Sequence, residues 1–181
     1  MNFSREIAMF ELVAPLANQP TVVALILSAT VCVILFQLRK CWLGKGITIP
    51  DMRLHWYTPS DVKCFLDRLG TDKKRHLYAF SEVTVDVVFP ITYGLLAMIS
   101  LHCLIGDTLP NLAWLMYLPL VTAGADLLEN VTVAWLAVTH QKDALPRKLA
   151  WVTATGTFIK WRSAGLLLLT LAGLVVCTFF V

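Results

Sequence analysis

Four apolar stretches, each about as long as a bilayer-crossing helix, dominate this chain and leave it few ways to fold. The first runs from Thr21 to Leu38, entered through Pro20 and stopped by Arg39 and Lys40, whose charges are costly to place in hydrocarbon. The second lies within Leu77 to Ile105, the third within Leu112 to His140, and the fourth is clearest from Ser163 to Val181. Backbone polar groups in lipid need internal partners, so apolar spans of this length form helices. Composition agrees: 57% of the 181 residues are hydrophobic and 15% charged, with a mean hydropathy of +0.70. Soluble domains run at about 25% charged residues. The expected fold is an all-α integral membrane protein. It is a single membrane domain over 1–181, a four-transmembrane-helix bundle with spans at about 21–38, 78–105, 112–139 and 160–181.

The basic residues set an expected orientation. The link from 39 to 76 carries Arg39, Lys40, Lys45, Arg53, Lys63, Arg68, Lys73, Lys74 and Arg75, nine of the fifteen Lys and Arg in the chain. The link before the fourth span adds Lys142, Arg147, Lys148, Lys160 and Arg162, whereas the tight hairpin Gly106-Asp107-Thr108-Leu109-Pro110 has none. By the positive-inside rule both basic links are cytoplasmic and both termini external. The stretch before Thr21 lacks the layout of a signal peptide, so the first span is read as a retained helix. Together with the small size, this favours a bacterial inner membrane over a eukaryotic endomembrane.

Within the first basic link, Thr58-Pro59-Ser60-Asp61 is a helix start and Gly70 a plausible stop. Val62, Phe65, Leu66 and Leu69 share one face, which predicts a short amphipathic helix on the cytoplasmic side, either resting on the leaflet or lying as a lid over a site.

The informative residues are the polar ones placed inside spans. Glu82 and Asp86 stand at i and i+4 in the second span; Asp126, Glu129 and Asn130 stand at i, i+3 and i+4 in the third. Counted at 1.5 Å per residue from the hairpin, Asp126, Glu129, Asp86 and Glu82 fall about 24 to 36 Å down, and Arg162 and Lys160, counted from the C-terminus, at about 28 and 32 Å. Ionisable groups at such depth face a bundle interior or water. The pattern predicts a polar, cytoplasm-facing chamber of the second, third and fourth helices. Pro90 and Pro119 bend two of them, and Tyr93 lines the widened space. The sequon Asn130-Val131-Thr132 lies within a span, out of reach of glycosylation, and Asn130 is read as a partner of Asp126.

Two uses of this layer stay open. One is acid/base chemistry on a membrane lipid or another lipid-like or isoprenoid-like amphiphile, by an isomerase, cyclase or head-group transferase. There Asp86 and Asp126 form the central pair, Glu82 and Glu129 tune it, Asn130 orients, Tyr93 lines the site, and Lys160 or Arg162 holds an anionic head group. The other is a non-catalytic ligand-binding or assembly protein whose charges form a structural salt-bridge network. An ion or proton pathway is disfavoured, because beyond Thr92, Ser100 and His102 the outer part of the bundle has no polar track.

Other classes drop out. A net charge of +3 with no basic recognition helix argues against nucleic acid. The five cysteines are dispersed without CxxC spacing. GxSxG, HExxH and P-loop motifs are absent, and none of His55, His76, His102 or His140 lies within a turn of either acid pair. No metal is therefore assigned, and the pattern names neither a cofactor nor an oligomeric state. The orientation is testable: a membrane-impermeant maleimide added to intact cells labels a single cysteine introduced at Asp107 and spares one at Lys73 in an otherwise cysteine-free chain. The reverse pattern overturns it.

Overall fold

The computed structural model describes residues 13–43, 57–105, 109–140 and 145–180, of which 40–43 and 178–180 are described by backbone alone. A short 3-10 turn, Ala14–Leu16, precedes α1 (Gln19–Leu43); then come α2 (Pro59–Leu69), α3 (Asp72–Ile105), a second 3-10 segment (Pro110–Met116), α4 (Tyr117–Thr139) and α5 (Arg147–Phe180). The architecture is all-α. Four of its helical stretches are long and apolar enough to cross a membrane: Gln19–Arg39, Asp72–Ile105, Pro110–Thr139 and Arg147–Cys177.

Three helices are longer than their apolar cores suggest, α1 running on past Arg39 to Leu43. α3 begins at Asp72 and α5 at Arg147, because the charged turns Asp72-Lys73-Lys74-Arg75 and Arg147-Lys148 continue each helix beyond its apolar part. The third span changes type: Pro110–Met116 is 3-10 and the α-helix starts at Tyr117. Pro119 therefore sits in the first α turn, where its missing N–H costs little. Of the hairpin, Leu109 and Pro110 lie inside the described residues, and the Leu109 N–H donates to the Ile105 carbonyl; Gly106, Asp107 and Thr108 lie outside them.

The helices pack in series, α1 on α3, α3 on α4 and α4 on α5. Two apolar clusters sit at either end. At the hairpin end, Met98, Leu101 and Ile105 of α3 meet Leu115, Met116, Leu167 and Leu174. At the other end, Tyr78 and Ala79 of α3, Val133 and Leu136 of α4, and Ala150 and Ala154 of α5 are covered by α2. All the intramembrane acids lie between them. Outward-facing side chains such as Leu27, Phe80, Val131 and Leu169 are large, apolar and exposed, as a lipid-facing surface requires.

The amphipathic helix α2 is built as its sequence suggests: Pro59 is at the first turn, and the Thr58 N–H donates to Asp61 Oδ2 in a capping box. Gly70 ends it at φ +74, a conformation costly for a side chain with a Cβ. Its apolar face turns inward onto the bundle. Val62 and Leu66 are wholly buried, and Phe65 meets the Tyr78 ring edge-on at 4.9 Å. Of the two placements expected for this helix, the geometry is that of a cap.

A polar clasp fastens the cap at its edge: Asp67 takes Lys63 Nζ at 2.9 Å and lies 2.8 Å from His140 Nε2 at the end of α4. The hydrogen bond from Lys63, with that of His140 behind it, holds the Asp67 carboxyl below its ordinary 3.8. The folded state thus binds this proton more weakly than the unfolded chain. The clasp contributes fully above that ordinary value and is lost as pH falls through the lowered one. Asp67 is 41% exposed, so solvent screens the pair and the effect is local. Protection of the α2 amides, after correction for the intrinsic exchange rate, is expected to fall between about pH 4 and pH 2 more in the wild type than in Asp67→Asn; equal falls would remove the clasp.

Candidate functional site

The polar layer resolves into two ion clusters, each centred on one cation from an outer helix. Arg39, near the end of α1, reaches α3, where Nη1 lies 2.7 Å from Glu82 Oε1 and also bonds Asp86 Oδ2 and, at 3.3 Å, Ser81 Oγ. Its guanidinium stands over the Phe36 and Tyr78 rings, 4.7 and 5.5 Å from their centroids. Lys160 of α5 reaches α4, with Nζ 3.1 Å from Asp126 Oδ1 and 2.7 Å from Glu129 Oε2. Arg39, Lys160 and all four acids are buried. Among the described residues, two cations thus answer four carboxylates, leaving the layer two negative charges in excess when every group is ionised.

Hydroxyls complete the second cluster. Tyr93 donates to Asp126 Oδ2 at 2.9 Å. Thr157 donates to Glu129 Oε1 and lies 2.8 Å from the Tyr57 hydroxyl, which sits 3.5 Å from the same oxygen. Tyr57 directly precedes the cap helix, so the cap reaches the charged layer through it. Burial first, and then the Glu129 carboxylate, push the Tyr57 phenol well up, which keeps it a neutral donor.

Pro90 and Asn130 are linked by a backbone vacancy. Proline lacks an N–H, so the carbonyl four residues before it, that of Asp86, loses its helical partner. Asn130 Nδ2 donates to that carbonyl. The residue read as a partner of Asp126 thereby ties α4 to α3 where the α3 ladder lacks a hydrogen bond, and Asp86 is held on both its side chain and its backbone.

Between α1 and α5 lies a cavity of about 540 Å³. Gln37, Asp86, Tyr93, Thr122, Asp126, Asn130 and Lys160 supply its polar lining; Val33 and Phe36 of α1 and Leu167, Leu168 and Leu171 of α5 supply apolar walls. Val33 and Leu168 are exposed, so the cavity opens sideways between the two outer helices. On the loop side the layer is covered by α2 and its apolar cluster.

The expected site residues are thus gathered with one difference: Arg162 is exposed on the outside of α5, its guanidinium 5.2 Å from the centroid of the Phe158 ring. The expected chamber of three helices also gains a fourth wall, α1. Arg39, which closes the first span at the level of the acids, proves to be the counter-ion of Glu82 and Asp86. Thr153 and Thr157 were missed, although with Lys160 and Ser163 they form a stripe of polar residues three and four apart on α5. That stripe faces α4, where Thr153 meets Thr132 and Ser163 meets Thr122, each at 2.9 Å. Among the described residues, no three His, Cys, Asp or Glu side chains are grouped to hold a metal ion. No protein-family model, curated protein or solved structure matches this chain.

Close approach of α4 and α5 is what brings Lys160 and Thr157 to the acids. A Cβ on Gly156 would lie 3.2 Å from the Ala125 carbonyl oxygen and 3.3 Å from Glu129 Cβ. Gly156→Val is therefore expected to cost about 1–3 kcal/mol by overpacking, measured as unfolding free energy in bicelles. A valine variant as stable as the wild type would show that the helices are not this close.

Proposed function

We propose that the chain is a small intramembrane acid/base enzyme that takes a lipid-like amphiphile sideways from the bilayer into the cavity between α1 and α5. One observation carries this reading: a cavity of about 540 Å³ that opens between the two outer helices has apolar walls and is lined by both Asp86 and Asp126. That shape suits an apolar chain with its reactive end among the carboxylates. In this reading Asp86 and Asp126 exchange protons with the ligand, Glu82 and Glu129 share their cations and set the local field, and Asn130 fixes the backbone at Asp86. Lys160 and Tyr93 orient Asp126.

Among the chemistries open to two carboxyl groups, isomerisation balances without a co-reactant. One acid gives its proton to a carbon of a double bond while the other carboxylate takes a proton from a neighbouring carbon. The double bond moves, and the pair as a whole keeps its proton count. A cyclase uses the same opening step, with the positive charge captured by a second double bond of the chain and the resulting cation then losing a proton to the other carboxylate. A head-group transferase needs a second substrate, for which the cavity offers no separate polar compartment among the described residues.

The salt-bridge reading has its own support, since all four carboxylates already pair across helices. The two readings diverge under isosteric substitution. In the enzyme, Asp126→Asn and Asp86→Asn leave the bundle folded but slow turnover by about 10²–10⁴-fold. A lipid change dependent on the wild type, seen by mass spectrometry of cell extracts, then disappears. In a structural clamp, each variant instead loses about 3–5 kcal/mol of stability, and the lipid profile never depended on the protein.

A further inference from the structure

We propose that the cavity selects a ligand with a positively charged polar end, an apolar chain carrying an amine or quaternary ammonium group. This deepens the reading of the same cavity as an amphiphile site and rests on it. The first ground is charge: among the described residues the layer holds four carboxylates against Arg39 and Lys160, and both cations are engaged by carboxylates. An anionic head group would add to the excess, whereas a cation relieves it.

The second ground is a vacant acceptor. Asp86 is only 2% exposed and lines the cavity. Arg39 bonds its Oδ2, while Oδ1 is buried with no hydrogen-bond donor among the described residues. A buried carboxylate oxygen without a donor is costly, and a ligand ammonium supplies the missing charge or donor.

The third ground is the wall. Phe36, Phe89 and Tyr93 form a chain of edge-to-face rings, 5.5 and 5.3 Å between centroids, and all three line the cavity with Trp161 on the far side. Arg39 stands over Phe36 and Lys160 over Trp161, 5.8 Å from its centroid, so Phe89 and Tyr93 are the rings left to meet an alkylammonium group. Arg162, the other cation first expected at a head group, lies outside the cavity over Phe158. The same field would favour the positive charge that develops on a double bond when a carboxylic acid protonates it, so ligand preference and chemistry point the same way.

The test uses the full chain in lipid nanodiscs, titrated calorimetrically against empty-nanodisc blanks with three probes of one chain length: dodecyltrimethylammonium, dodecanol and dodecyl phosphate. The ammonium probe is expected to bind about tenfold or more tightly than the alcohol, with the phosphate weakest. Asp86→Asn should bring the ammonium probe close to the alcohol, the readout being the ratio of the two affinities. Should that variant fail to fold, Phe89→Leu, which removes one ring and no charge, should weaken the ammonium probe several-fold and spare the alcohol. If all three probes bind alike, or the phosphate binds best, the cationic preference is overturned while the amphiphile site stands. Equal binding is also what a proton shared between Glu82 and Asp86, filling the vacant place, would give. If no probe binds, both readings fall.

Discussion

A carboxylate inside a membrane-thick helix bundle costs several kcal/mol unless a counter-charge and hydrogen-bond donors meet it. The described residues bury four, and the placement of the long helices follows from how they are met. α1 packs on α3, where Arg39 reaches Glu82 and Asp86; α5 lies against α4 with Lys160 between Asp126 and Glu129. Lipid tails are as apolar as leucine, so burial of apolar surface gives helices in a bilayer little reason to associate. Ion pairs, hydroxyl contacts and close approach at Gly156 supply that reason here. Two apolar clusters then seal the layer from either end, the hairpin-side one by ordinary side-chain packing and the other with the help of α2.

Most of this fold was legible in the chain because hydrocarbon imposes one rule, a run of apolar residues closed by charge or by a turn. The spans, the hairpin and the amphipathic helix all follow from it. What it does not convey is where a charged side chain goes once its helix has ended. Arg39 follows the last apolar residue of the first span and reads as the boundary itself, yet it folds back along α1 to the acids of α3. Arg162, two residues beyond Lys160, reads as its twin and points the other way. Only the rotation of α5 against α4 separates the two, and that rotation is set by Gly156 and the Thr153, Thr157, Ser163 stripe. The cap helix was similarly ambiguous: its apolar face suits lipid or protein equally, and tertiary packing against Tyr78 and Leu136 decides for protein.

The pairing of Pro90 with Asn130 shows how a local defect becomes a positioning device. A proline in a membrane helix frees a carbonyl that lipid cannot satisfy. An amide from the neighbouring helix satisfies it, and the acid whose carbonyl is freed is the one that lines the cavity with an oxygen to spare. Rigidity at this point and vacancy beside it are the combination that a ligand site needs. The cavity opens sideways between α1 and α5, and the cap, reaching Glu129 through Tyr57, closes the layer from the loop side.

The claim on which the rest depends is that Arg39 and Glu82 form a buried pair joining α1 to α3. A double-mutant cycle on Arg39→Gln and Glu82→Gln, with unfolding free energies measured by steric trapping in bicelles, tests it directly. A buried pair gives a coupling of about 0.5–3 kcal/mol between the two sites. Effects that add to within about 0.3 kcal/mol would mean that α1 is not held by this pair and that the charged layer is not the organising element of the bundle.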